Sequence, residues 1–502
     1  MFYLLAASPI LIVLVLMLAL KWGGQRAGPA GWLAGVIVAA FAFGLTPDVL
    51  WVSQAKGILL SLYVLAVLWP ALLLYNIVDQ VGGIRAIARA LEQTIGDRGT
   101  LLIVLAWAFS GMLEGLAGFG LPIAIVAPML VALDVAPVIA VVAVAVGHAW
   151  AVTFGDMGII WQTLIAVVKM DSALLAPSAA ILLGVACFAC GLAAARILGY
   201  GNRAVIVIAL ALVMSATQYA LAVLGITPLA ALGAGAAGIV ASVLLTPRPE
   251  GFASRKPFGS TSLLAAIASY GTLAALMTTI AIIEPLRVTL NQVAWQATFP
   301  KAETATGFIT PAGTSQAFRF LTHPGSSILL IAIVSSIAFV RLRYASSDSW
   351  RIAARATWQS AAPSSVGVIS MVGLATLMDH SGMTFLLAQA MSATMGAAFP
   401  IVSPLVGILG AFATGSNNNS NVLFGTLQRD AAILLGITPA ILIAAQTTGG
   451  SLGSMLAPAK IIVGCSTVGL KGRDGEVLRR SLPYGIAIGL LIGIIACALA
   501  RF

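Results

Sequence analysis

Charge is what this chain most lacks. Only 8% of its 502 residues are Asp, Glu, Lys or Arg, where a soluble domain carries roughly 25%. Hydrophobic residues make up 60%, and the mean hydropathy is +1.05. Apolar runs of about 20 residues recur from end to end, enough for a helix to cross a bilayer. A soluble fold is excluded, and an all-α polytopic membrane protein in contact with the lipid bilayer is expected.

Cysteine is scarce too. Four cysteines give no disulfide framework, and Cys187 and Cys190 stand as CFAC inside an apolar run, where small residues serve helix packing. No HExxH, paired CxxC or GxSxG pattern occurs. No metal, no cofactor and no catalytic nucleophile is therefore announced, and the chain is not expected to be an enzyme. The formal charge of +10 does not point to nucleic acid, because Lys and Arg fall mostly between apolar runs, as in cytoplasmic connecting loops. The first run, Phe2 to Leu20, has its basic residues after it, at Lys21 and Arg26, so it is expected to be a retained span rather than a cleaved signal.

About twelve transmembrane helices are expected. Single spans fall near residues 2–20, 30–46, 57–78, 173–195, 204–224, 229–246, 262–283, 327–343, 357–378 and 482–500. Two longer runs, 135–168 and 438–468, are interrupted: the first at Gly147-His148 and again at Phe154-Gly155-Asp156. Ile84 to Ile95 is amphipathic, with Ile84, Ile87, Leu91 and Ile95 on one face, and should lie along the interface. Residues 284–326 form a polar segment. Basic clusters at 21–26, 85–98, 196–203, 248–256, 341–355 and 471–480 all fall on one side when crossings are counted from an outside N-terminus. Segment 379–399, without Lys or Arg, falls on the other.

An internal repeat fits this count. At an offset of 300, Asp79 matches Asp379, Gly82 matches Gly382 and Gly115 matches Gly415; at 302, Pro137 matches Pro439 and Gly147 matches Gly449. One copy faces inward and the other outward, which predicts an inverted-topology repeat with a midplane site between broken helices. The expected division is N-terminal spans in 1–56, a first repeat in 57–246, a basic linker with spans and the polar loop in 247–356, and a second repeat in 357–502.

Two polar interruptions mark re-entrant helical hairpins, at about 101–133 and 400–430. The second carries Ser416, Asn417, Asn418, Asn419, Ser420 and Asn421 between apolar flanks. Six adjacent amides and hydroxyls at membrane depth are costly unless they are buried in protein or face a wet cavity. They suit a small polar solute, as do Gln446, Thr447 and Thr448 in the second broken run, although these also serve bonds between helices. The first tip, LEGLAGFG, holds Glu114 with Gly115 and Gly118. A bare carboxylate there costs roughly 2.5–3.5 kcal/mol, so Glu114 is either an ion-pair partner or a proton site. His148 and Asp156 flank the break in the first long run and form a candidate proton relay, with Asp379 and His380 at the end of another span. Asp79 is expected to cap a helix, and Lys460 to neutralise a carboxylate or snorkel to the interface.

GMLEGLAGFGLPIAIVAP (Gly111 to Pro128), AVTFGDMG (Ala151 to Gly158), MDHSGM (Met378 to Met383) and TGSNNNSNVLFGTLQ (Thr414 to Gln428) together resemble the L-lactate permease family. The family often has Asp where this chain has Asn417, and Asn where it has His148. The resemblance implies a permease of the bacterial inner (plasma) membrane. It would import lactate, glycolate or a related small 2-hydroxy monocarboxylate by proton symport. Ser416 to Asn421, with Gly115, Gly118, Gln446, Thr447 and Thr448, would then line the substrate site. Glu114, His148, Asp156, Asp379 and His380 would handle the proton. A homodimer is one expected assembly, and sodium-coupled transport of another organic anion is the alternative reading.

Overall fold

Apolar runs become long helices in the computed structural model, which describes residues 2–20, 22–118, 120–246, 261–470 and 473–501. Among the described residues, twelve helices are long and apolar enough to cross a membrane. The basic cluster at 248–256 lies outside the described residues, as do Lys21 and Lys471.

The chain opens with α1 (Phe2–Leu18), α2 (Gly24–Ala42), α3 (Pro47–Gln80) and the amphipathic α4 (Gly83–Thr94). The first hairpin runs through α5 (Arg98–Val104), a wider π turn at Leu105–Phe109 and α6 (Ser110–Leu116), then returns as α7 (Leu121–Ala132). The first broken run is α8 (Pro137–His148) and α9 (Ile159–Val168), followed by α10 (Ser172–Ile197). Next come α11 (Ala204–Val223), α12 (Ala230–Leu245), α13 (Thr261–Ile282) and α14 (Glu284–Asn291). The second half holds α15 (Pro324–Arg341), α16 (Ser349–His380) and α17 (Met383–Met395). Its hairpin is α18 (Phe399–Thr414) with α19 (Asn417–Leu434). Its broken run is α20 (Pro439–Gly453) and α21 (Pro458–Thr467), and α22 (Asp474–Leu499) closes the described chain.

The two halves correspond in order, α2–α10 to α15–α22, with α5 and α6 together matching α18. The last helix of each is 26 residues long, at an offset of 302. Packing is reciprocal. α2 packs on α16 as α15 packs on α3; α9 packs on α19 as α21 packs on α7; α10 packs on α20 as α22 packs on α8. Exchanging the halves exchanges the partners, as a pseudo-two-fold axis between α3 and α16 requires. Gly147 and Gly449 occupy matching places: a Cβ on the first would overlap the Ala106 carbonyl, and on the second the Pro404 carbonyl. The hairpin and the broken helix of each half therefore approach backbone to backbone.

Four readings change. The span expected at 57–78 runs 47–80, because Thr46 caps it through Val49 N at 3.3 Å and Pro47 sits at its first position. Gln54, polar within that extension, is satisfied by Trp32 Nε1 at 2.8 Å and Gly373 O at 3.2 Å. The division between residues 56 and 57 thus falls inside one helix, and that between 356 and 357 inside α16. The span expected at 2–20 is the 17-residue α1, shorter than the twelve. Asp79 does not cap α4: Gly82 holds that position with a left-handed φ of 71°, matched by Gly382 at 79° before α17.

The polar segment 284–326 is not a plain loop. Beyond α14, β1 (Ala294–Trp295), β2 (Thr298–Phe299) and β3 (Ala302–Glu303) pair antiparallel with β6 (Phe318–Arg319), β5 (Gly313–Thr314) and β4 (Ile309–Thr310) respectively. The three pairs nest into one long hairpin. Its end is tied to the α2–α3 loop by Ala305 N to Gly44 O (2.7 Å), Thr306 Oγ1 to Phe43 O (3.0 Å) and Thr46 Oγ1 to Glu303 O (2.9 Å).

Candidate functional site

The tips and the breaks meet. A cavity of about 270 Å³ is lined by Gly415 to Asn419 at the start of α19, by Asp156, Ile159 and Ile160 at the start of α9, and by Lys460 in the first turn of α21. Three helix N-termini therefore converge on it, each with free backbone N–H groups and the positive end of its dipole. That arrangement suits an anion.

The charges are few and close. Lys460 Nζ lies 3.3 Å from Glu114 Oε1 and 2.5 Å from Ser454 Oγ. It is the only Lys or Arg among the described residues lining the cavity. Glu114 is fully buried, and its Oε2 lies 3.9 Å from His148 Nε2. Neither of those two atoms has a hydrogen-bond partner. His148 Nδ1 sits 2.7 Å from Val144 O, which can only accept, so Nδ1 carries the hydrogen, and in the neutral ring Nε2 presents a lone pair to the carboxylate. Asp156 Oδ1 accepts from Gly118 N. A Cβ on Gly118 would stand 2.5 Å from Glu114 Oε1 and 2.9 Å from Asp156 Oδ1. Both carboxylates thus lie against one glycine.

The break that places Asp156 is strained. Asp156, Met157 and Gly158 are consecutively left-handed, with φ of 52°, 52° and 81°. For the two non-glycine residues this costs on the order of 1–3 kcal/mol each, the kind of strain that clusters at functional sites.

The expected site residues separate into groups. Ser416, Asn417, Asn418 and Asn419 line the cavity with Asp156, and Asn418 Oδ1 has no partner. Asn417 also ties the halves together, its Nδ2 donating to Thr153 Oγ1 at 3.0 Å and Thr447 O at 3.3 Å. Ser420 does not line the cavity: it donates to Gly407 O at 3.0 Å and accepts from Gln446 Nε2 at 3.2 Å, closing α19 onto α18 and α20. Asn421 and Thr448 are buried off the cavity wall, both amide atoms of Asn421 and the hydroxyl of Thr448 unpartnered. Gly115 packs on the Leu232 backbone of α12. Asp379 and His380 are elsewhere, lining a second cavity at the far end of α16. There Asp379 pairs with Lys169 at 3.2 Å and Arg429 at 3.8 Å. His380 gives Nδ1–H to Thr376 O (2.8 Å) and accepts from Lys56 Nζ (3.1 Å), which leaves its ring neutral.

Thr153, Ser451 and Ser454 were not singled out by the sequence. Thr153 Oγ1 donates to Thr447 O at 2.9 Å, and Ser451 Oγ donates to Ala149 O at 2.6 Å, locking one broken helix to the other. The one available signal was that Thr153 is the sole hydroxyl between His148 and Asp156.

The chain is 27% identical to an L-lactate permease of Halalkalibacterium halodurans over 504 residues, 97% of this chain and 94% of that one. It is 24% identical to the glycolate permease GlcA of Escherichia coli (strain K12) over 538 residues, 98% of this chain and 94% of that one. Among solved structures, it is similar to the YdaH transporter of Alcanivorax borkumensis (TM-score 0.47, 15% identity, 86% of this chain and 84% of that one). It is similar also to MtrF of Neisseria gonorrhoeae (TM-score 0.48, 15% identity, 95% and 85%). The family model described as L-lactate permease matches residues 3–246 and 253–502, and the chain, a multi-pass membrane protein, belongs to the L-lactate permease family.

Proposed function

We propose that the chain imports lactate, glycolate or a closely related 2-hydroxy monocarboxylate across a bacterial inner membrane, one proton accompanying each anion, through the cavity between the hairpin tips. The observation that carries the coupling is the buried pair Glu114 Oε2 and His148 Nε2, 3.9 Å apart and neither hydrogen-bonded to another group, between which a proton can be held. The substrate carboxylate takes the helix N-termini and Lys460, and its hydroxyl takes the amides of Asn418 and Asn419. Formally, Glu114, Asp156 and Lys460 sum to −1 with His148 neutral. An arriving anion makes that −2 in a poorly screened site, which a proton between Glu114 and His148 relieves. Carried together, anion and proton are neutral. The anion alone would oppose an inside-negative potential at about 2.3 kcal/mol per 100 mV. With the sidedness expected from loop charge, the cavity, which reaches Gly24 and Gln25 at the start of α2, opens toward the cytoplasm.

Purified protein in vesicles tests this. A pH step should drive lactate or glycolate accumulation, and a Na⁺ step should not. His148→Gln and Glu114→Gln should each abolish pH-driven accumulation while keeping counterflow, which needs no net proton movement. Accumulation driven by Na⁺, or a His148→Gln variant that still concentrates substrate under a pH step, refutes the assignment.

A further inference from the structure

The second cavity, about 950 Å³, lies under the long β-hairpin, walled by residues 310–317 of that hairpin, by Lys56, Leu60 and Tyr63 of α3, and by the ends of α9 and α16. Its walls continue those of the tip cavity. On α3, Leu68 lines the tip cavity and Tyr63 this one; on α16, Val368 and Val372; on α9, Ile160 and Gln162. At 1.5 Å per residue these steps measure about 7.5, 6 and 3 Å. The septum is thus about one helical turn thick. Tyr63 closes it from one side, its hydroxyl donating to Gln162 Oε1 at 3.0 Å in a buried bond.

The lining is basic. Lys56, Lys169, Arg287 and Arg319 face two carboxylates, Asp171 and Asp379. Both carboxylates are engaged, Asp171 capping α10 through Ala173 N at 2.9 Å and Asp379 paired with Lys169. Among the described residues, no carboxylate pairs with Lys56, Arg287 or Arg319. His323 adds a neutral donor: its Nδ1 accepts from Gly325 N at 3.3 Å, so Nε2 carries the hydrogen, and that atom is buried on the cavity wall without a partner. Low-dielectric walls with an excess of positive charge concentrate anions.

We propose that this cavity is an outer binding site for small carboxylates, which collects the anion before the Tyr63–Gln162 septum opens and passes it to the tips. The identity of the anion rests on the proposed function; the charge preference of the cavity does not. Cations, not a hydrophobic surface, capture the ligand here, so capture weakens with salt.

The test uses the whole protein with Ala312→Cys, on the exposed cavity wall, the four native cysteines being buried. An anionic methanethiosulfonate should react about 10-fold faster, relative to a cationic one and normalised to a free thiol, at low ionic strength. The preference should fall to about 2-fold in high salt and in the Arg287→Gln, Arg319→Gln double variant. Sodium lactate should slow the anionic reagent more than sodium chloride at equal ionic strength. In vesicles the double variant should raise the KM for uptake several-fold. Labelling without charge preference, or a preference the variant does not alter, overturns the proposal. So does labelling unaffected by lactate, or an uptake KM that the double variant leaves unaltered. If lactate slows labelling yet is never transported, the proposed substrate falls and the outer site stands.

Discussion

Asn417 Nδ2 donates to Thr153 Oγ1 at 3.0 Å, joining a hairpin tip of one half to the broken helix of the other across 264 residues of chain. The same hydroxyl bonds Thr447 O, so the junction spans three segments. Thr153→Val and Asn417→Ala should each lower stability and transport. Because each removes the partner of the other, their effects should not add, with a coupling of roughly 0.5–1.5 kcal/mol in a double-mutant cycle read by thermal unfolding in detergent. Additive effects would show that the bond does no joining.

Gly118 is held between two carboxylates. Gly118→Ala places a methyl 2.5 Å from Glu114 Oε1 and 2.9 Å from Asp156 Oδ1, and these must separate. The variant should insert and run as a single species by size exclusion, yet lose at least about 10-fold in substrate affinity, because helix ends and Lys460 shift with the carboxylates. Affinity unchanged in Gly118→Ala would mean that the carboxylate spacing is irrelevant.

The inverted repeat has a sidedness that labelling can read. Arg89 on α4 and Thr394 on α17 are exposed positions on corresponding helices. Arg89→Cys should react with an impermeant reagent only from the cytoplasm, and Thr394→Cys only from outside. Reaction of both from one face would break the correspondence.

Much of this was readable before the fold was known, for a physical reason. Polar residues inside apolar runs are expensive, so Ser416 to Asn421, Glu114, His148 and Asp156 stand out wherever they occur, and all of them lie at or beside the tips. What stayed hidden depends on distance in three dimensions. Gly115 resembles a tip glycine in sequence but spends its missing side chain on α12. Asp379 and His380 look like relay partners of His148 but lie at the C-terminal end of the 32-residue α16, on the wall of the other cavity. Ser451 is an ordinary helix hydroxyl and Thr153 an ordinary turn hydroxyl until the second half packs on the first. The β-hairpin escaped because each of its pairings is only two residues long, too short for alternation to register.

The thinness of the septum also governs where voltage acts. Two aqueous funnels that nearly meet carry the bulk potential inward from both faces, so most of the transmembrane field falls across a few ångströms instead of some 30. A charge therefore traverses nearly the whole membrane voltage in a displacement of one helical turn. An anion travelling with its proton is indifferent to that field. The site itself keeps its residual charge of −1 with or without that cargo, so membrane potential should act on the empty carrier's return and on the loaded stroke alike, in opposite directions.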